Sequence, residues 1–136
     1  MNNVRNELGN KAEKEVVDCF VSYGFWAFNI PKSVKGQPFD IIACKNNCNW
    51  FVDVKHLEKN KLSFNFDRIE PNQRTSMKYA KMFANISNLG FVIRAERDSF
   101  RHLFLSYDKL IELEGKGYKS VKISELENLE DLLCTQ

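Results

Sequence analysis

Long apolar runs are missing from this sequence. No stretch approaches the roughly 18 residues that cross a bilayer, and the opening MNNVRNELGN is polar rather than built like a secretory signal, so no membrane role is expected. Internal repeats and low-complexity tracts are also lacking, which sets aside solenoids and linker arrays. Histidine is scarce, with two residues in the chain. The four cysteines, Cys19, Cys44, Cys48 and Cys134, have no secretory context and are expected as reduced thiols in a cytoplasmic compartment. Cys44-x-x-x-Cys48 resembles half of a zinc site, but no second ligand pair accompanies it; one thiol on a strand and another in a turn explain it better. A strong charge of either sign is absent too, the net being +2. Its distribution is less even: residues 1–82 carry 13 Lys and Arg against 9 Asp and Glu, whereas residues 83–136 carry 7 against 9. That is the pattern of a polyanion-binding face with an acidic back, although many basic patches are merely solvated. The 136 residues are expected to form a single domain, 1–136, large enough to bury a core without staples.

What the chain does have is concentrated in QPFDIIACKNNCNWFVDVKH, residues 37–56. Its composition predicts two strands, 39–45 and 50–56, joined by the polar turn Asn46-Asn47-Cys48-Asn49. With a four-residue turn Asp40 falls opposite Lys55, and Asp40, Asp53 and Lys55 share one face because strand side chains alternate. Asp40 and Asp53 are then diagonal neighbours about 7–8 Å apart, near enough to hold one divalent cation, since Mg²⁺ is commonly held by one or two carboxylates plus water and phosphate oxygens. Alternating Asp and Lys on an exposed strand would equally make a solvated face. Ile41-Ile42-Ala43 and Trp50-Phe51-Val52, however, read as central strands covered on both sides, where a charge needs a partner or a metal.

Around this hairpin the pattern predicts a helix over 6–23 with Val16, Val17, Phe20 and Val21 as its apolar stripe, stopped at Gly24. Glu13 lies near the edge of that stripe, and nothing in the pattern singles it out. FWAFNI (25–30) reads as a strand, and KSVKGQ (32–37) as a basic loop suited to backbone phosphates. LSFNF (62–66) reads as a short strand with Leu62, Phe64 and Phe66 on one face. Pro71 opens a helix to Ile86 that buries Met77, Ala80, Met82, Phe83 and Ile86 and sets Arg74, Lys78 and Lys81 on its other side. LGFVIRA (89–95) and HLFLS (102–106) are further strands; helices follow over 108–113 and over 124–133, the latter opened by a Ser124–Glu127 capping box. The fold class is α/β, a mixed β-sheet flanked by helices.

Pro38-Phe39-Asp40 followed by Asp53-Val54-Lys55 resembles the motif of the PD-(D/E)xK nuclease superfamily, with one residue inserted between Pro and Asp. Gly9-Asn10-Lys11-Ala12-Glu13-Lys14-Glu15 resembles the G-x-x-A-E-R-E start of the archaeal Holliday junction resolvases, where Gly24-Phe25 and Ser33 also have counterparts. Lys61-Leu62-Ser63-Phe64, Ile69-Glu70-Pro71-Asn72-Gln73, Gly90-Phe91-Val92-Ile93-Arg94 and Gly117-Tyr118-Lys119-Ser120-Val121 resemble stretches of the bacterial RecU-type resolvases. The likeness covers residues 5–125. It departs in having no room for the RecU stalk, and in Asp53 where these resolvases commonly carry Glu.

The resemblance implies a restriction-endonuclease-like core and a metal-dependent endodeoxyribonuclease that resolves four-way junctions in branched DNA. It implies Asp40 and Asp53 as metal ligands with the Val54 carbonyl, Glu13 completing or water-bridging the site, and Lys55 orienting the attacking water. Gln73 would position water or phosphate. The cofactor implied is Mg²⁺, with Mn²⁺ as a substitute. Lys11, Lys14, Lys32, Ser33, Lys35, Arg74 and Lys78 are the candidate DNA contacts. Symmetrical cutting implies a homodimer, for which Phe64 and Phe66 are a candidate apolar patch. The expected compartment is the cytoplasm, or the host cytoplasm for a phage-encoded chain. Two alternatives are a restriction- or repair-type nuclease of this fold and a DNA-binding protein without catalysis. The intact set Glu13, Asp40, Asp53 and Lys55 speaks against the second.

Overall fold

The computed structural model of the protein describes residues 2–31 and 38–136, and side chains from Glu7 onward. The chain opens with helix α1 (Asn2–Ser22), which begins four residues earlier than expected. It stops where the sequence says it should. Gly24 adopts φ 86°, a left-handed value costly for other residues, while Gly24 N–H donates to Val21 O and Phe25 N–H to Phe20 O. A mixed sheet follows: β1 (Trp26–Asn29), β2 (Ile41–Lys45), β3 (Cys48–Leu57), β5 (Asn88–Ala95), β6 (Arg101–Ser106) and β8 (Glu127–Asn128), in that spatial order. Among the described residues only β3 and β5 run parallel, so the chain between them makes a crossover, as expected. That crossover carries β4 (Ser63–Asn65), which pairs with β7 (Ser120–Lys122) in a separate ribbon, and helix α2 (Pro71–Tyr79). Helices α3 (Tyr107–Gly115) and α4 (Leu129–Leu133) complete the molecule.

The sheet separates two cores. On one face, Val16 and Phe20 of α1 and Leu129 and Leu133 of α4 cover Ile41, Ala43, Trp50, Val52, Val92 and Phe104. On the other, Met77, Leu110, Phe64, Phe66 and Val121 cover Leu57, Phe91, Ile93 and Leu105. The approach of β5 to β6 admits only glycine at position 90, where a Cβ would stand 2.2 Å from Leu105 O. Among the described residues no helix is long and apolar enough to cross a membrane.

Several expected details are corrected. The β2–β3 turn is Asn46-Asn47 rather than residues 46–49, with Lys45 opposite Cys48 and Ile41 opposite Val52. Asn46 takes φ 54°, a conformation Asn tolerates. The register is therefore displaced by two residues, and Asp40 is not opposite Lys55. Asp53 and Lys55 share a face through the alternation of β3 itself, whereas Asp40 precedes the paired part of β2 and is placed by its local backbone. Helix α2 ends at Tyr79 and continues as a π-helical segment, Ala80–Ala84; Met82 and Phe83 are exposed rather than buried. Leu62 is exposed, whereas Phe64 and Phe66 are core residues and offer no docking patch. Ser124 and Glu127 make no capping box. Ser124 lies in a 3₁₀ turn, and α4 is capped by Asn128, which accepts from Glu130 N–H.

Candidate active site

Asp53 occupies the middle of β3, buried to 2% exposure. Asp40 enters just before β2, its approach pinned by Phe39, which packs edge-on to Phe51 at 5.3 Å. The Asp40 backbone threads between two strands, accepting from Ile30 N–H and donating to Val52 O. Val52 already faces Ile41 in the ladder, so two residues stand opposite one, the count of a β-bulge. The bulge aims Asp40 at its neighbour. Asp40 N–H donates to Asp53 Oδ1 at 3.2 Å, and Asp40 Oδ2 accepts from Val54 N–H at 2.8 Å. Since Val52 presents its carbonyl towards Asp40, Val54, two residues on, presents its own to the same side.

Asp53 Oδ2 is buried and has no hydrogen-bond partner among the described residues. Burial, and then the charge of Asp40, push the Asp53 carboxyl up to about 8. Lys55 stands two residues further along the same face, its Nζ donating to Arg68 O at 3.1 Å; burial lowers its pKa from the usual lysine range. Glu13, also buried, reaches this region from α1; its Oε1 accepts from Asn29 Nδ2 at 2.9 Å, and its charge adds to the pressure on Asp53. Among the described residues no three Asp, Glu, His or Cys side chains are grouped so as to hold a metal ion. Asp40 and Asp53 are brought together, whereas Glu13 comes from the α1 side of the sheet and is drawn towards β1 by Asn29. The pair nevertheless fits a divalent ion. A buried carboxylate oxygen without a donor, beside a second carboxyl, is an oxygen site that a hard cation satisfies.

Other expected site residues are placed as follows. Gln73 sits in the first turn of α2, its Oε1 accepting from Glu70 N–H in a capping box. Lys11 and Lys78 are exposed, and Lys14 is exposed and paired with Asp18 at 2.9 Å. Arg74 commits its guanidinium to Glu114 through two bonds of 2.8 and 2.9 Å, and Lys81 pairs with Asp108. Much of the basic side of α2 thus faces acids of α3. Lys32, Ser33 and Lys35 lie outside the described residues. Beside Lys55 a cleft of about 520 Å³ is lined by Gly9, His56, Lys61, Asn65 and Arg68 among others. Arg68, which the sequence reading overlooked, lies over the Phe64 ring at 5.4 Å.

A second overlooked feature ties α1 to the sheet. Arg94, buried to 3% exposure near the end of β5, grips both oxygens of Glu15, and Phe100 covers its guanidinium at 4.4 Å. Its Nη1 donates to His56 Nδ1 at 3.2 Å, which leaves His56 Nε2–H to donate to Glu96 at 3.0 Å. The Arg94 hydrogen bond holds Glu15 below the usual carboxylate range, and burial lowers His102, whose Nε2 stands 3.5 Å from Glu15. Glu13 and Glu15 project about 200° apart around the helix, so Asn29 and Arg94 hold α1 on either side of its apolar stripe. A lone Arg closing the apolar run LGFVI was the available sign.

A family model described as archaeal Holliday junction resolvase (Hjc) matches residues 4–136. No curated protein matches the chain. Among solved structures, the chain is similar to a Holliday junction resolvase, Hjc, from the archaeal hyperthermophile Archaeoglobus fulgidus. The TM-score is 0.67 at 14% identity, covering 92% of this chain and 99% of that one. At that identity the likeness speaks for the fold, a restriction-endonuclease-like core as expected.

Proposed function

The chain belongs to the archaeal Holliday junction resolvase family, and from that premise we propose that Asp40, Asp53 and Lys55 are the residues with which this nuclease cuts four-way junctions. A divalent metal goes with that activity, and Mg²⁺ is the ion proposed, with Mn²⁺ as a substitute. Asp40 and Asp53 would hold it, with the Val54 carbonyl and Glu13 completing its surroundings. When bound, such an ion activates water near neutral pH and offsets charge on the phosphoryl oxygens. The protein's own groups do the rest. Lys55, anchored at one N–H by Arg68 O, keeps two donors for a phosphoryl oxygen, and its partial burial strengthens that contact relative to water. The Gln73 side-chain oxygen is tied to the helix cap, leaving its NH₂ to orient water or phosphate. Lys11, Lys14 and Lys78, with Lys61 and Arg68 in the cleft, are proposed backbone contacts.

The observation that carries this reading is the Asp53 Oδ2, without a hydrogen-bond partner among the described residues, beside Asp40. The whole chain is proposed to act as one nuclease domain, in the cytoplasm, where its four free thiols stay reduced. A twofold pair of active sites suits paired cuts. Tyr79, Met82 and Phe83, exposed at the end of α2 with the Tyr79 and Phe83 rings 5.7 Å apart, are the proposed contact between copies.

The test compares a four-way junction with a linear duplex of the same sequence, in Mg²⁺ and in EDTA. Paired cuts in the junction with Mg²⁺ alone are expected, and Asp40→Asn should abolish them while junction binding persists. Cutting by Asp40→Asn at near the native rate would remove the carboxylate pair from the reaction.

A further inference from the structure

Strand β1 carries two large rings that neither core takes up. Trp26 is 69% and Phe28 39% exposed, and their ring centroids stand 5.0 Å apart. In the ladders Trp26 faces Cys44, Phe28 faces Ile42, and Ile42 in turn faces Phe51. Facing residues share a side of the sheet, so the rings lie on the same side as Phe51 and, further along β3, Asp53 and Lys55. The reverse side of β1 is the one that packs: Ala27 lies against the α1 core, and Asn29 holds Glu13. β1 is separated from β3 by two strand spacings, about 10 Å, and Asp53 lies about 7 Å along β3 from Phe51. At 3.4 Å per nucleotide along a strand, Phe28 is about three or four steps from Asp53 and Trp26, facing Cys44 and Asn49, about five. Cys44, Ile42, Asn49 and Phe51, which occupy this side of the sheet between them, include no acid that would repel a polyanion.

We propose that Trp26 and Phe28 form a stacking platform for the bases at the branch point of the junction. This rests on the reading that the scissile phosphate lies at Asp40 and Asp53. An intact duplex keeps its base faces within the stack, whereas a branch point ends several stacks and offers flat π-surfaces. Exposed aromatic rings take such surfaces and, unlike Lys or Arg, do not select phosphates. The platform and the proposed cutting site share one side of the sheet. The proposed contact between copies lies elsewhere, at the exposed aromatic residues Tyr79 and Phe83.

The chain contains two tryptophans, and Trp50 is buried to 1% exposure, so acrylamide-quenchable emission reports Trp26. The experiment titrates the wild-type protein in EDTA with a four-way junction and, separately, with linear duplex of the same sequence. The junction is expected to shield and quench Trp26 and the duplex to leave it accessible; Trp26→Ala and Phe28→Ala should each weaken junction binding about tenfold with duplex binding unchanged. Equal shielding by both DNAs would overturn the proposal, as would shielding without DNA that rises with protein concentration, which would make the rings a contact between copies. Junction cutting by Asp40→Asn is scored separately: it would displace the carboxylate reading without altering which DNA shields Trp26.

Discussion

Replacing Asp53 by Asn is expected to stabilise the metal-free protein while ending its cutting. In the folded chain the Asp53 carboxyl is raised from 3.8 to about 8, first by burial and then by Asp40. A raised carboxyl keeps its proton in the folded state while the unfolded chain has already released it. Between about pH 4 and pH 8 the native state therefore binds more protons, and stability falls as pH rises. The slope is about 1.4 kcal/mol per pH unit, with an upper bound of about 6 kcal/mol across the window. Water penetration and coupling to Asp40 reduce this to about half, and the unpaired NH₂ of a buried Asn subtracts about 1 kcal/mol more. A net gain of about 1–2 kcal/mol at pH 8 corresponds to roughly 4–8 °C in Tm for a chain of this size. The assay is thermal unfolding of both proteins in EDTA from pH 5 to 8.5. His102, lowered by burial, gives the opposite slope below about pH 6.5, so the quantity that matters is the difference between the two proteins. That difference should widen with pH, and Mg²⁺ should shrink it by supporting the wild-type carboxylates. Parallel curves would refute the reasoning, because they would mean that Asp53 ionises in the folded chain as easily as in the unfolded one.

Arg94→Met should lower stability by about 2–4 kcal/mol, measured by urea unfolding, since it strands Glu15 and His56 without their cation; an unchanged midpoint would deny Arg94 its role as a tether. Phe83→Lys, at a position 76% exposed, should leave the far-UV circular dichroism spectrum alone and shift sedimentation towards the monomer. A dimer that survives it would place the contact between copies elsewhere.

The parts of this molecule that could be read from its sequence are those governed by short periods. Gly24 ends α1 as expected because only glycine takes that φ cheaply, and the strand–helix–strand crossover follows from where Pro71 allows a helix to start. The shared face of Asp53 and Lys55 was legible whatever the hairpin register, because the two stand two residues apart on one strand. The parts that could not be read depend on what covers what. Helical spacing told which residues of α2 share a side, but not that Met82 and Phe83 would be left uncovered. It placed Glu13 beside an apolar stripe, but the role of Asn29 is set by a strand sixteen residues away. Arg94 looked like an ordinary strand end until Glu15 and His56 came to it from two other elements.

The double grip on α1 has a consequence for how the site is loaded. With Glu13 held by Asn29 on one flank and Glu15 by Arg94 on the other, the helix has little freedom to roll about its axis. Bringing the Glu13 carboxylate closer to Asp53 then falls to its own three torsions and to the exchange of its hydrogen bonds, that from Asn29 among them. Capture of a cation would thus be a matter of rotamers on a stationary frame, with no large-scale movement to slow it.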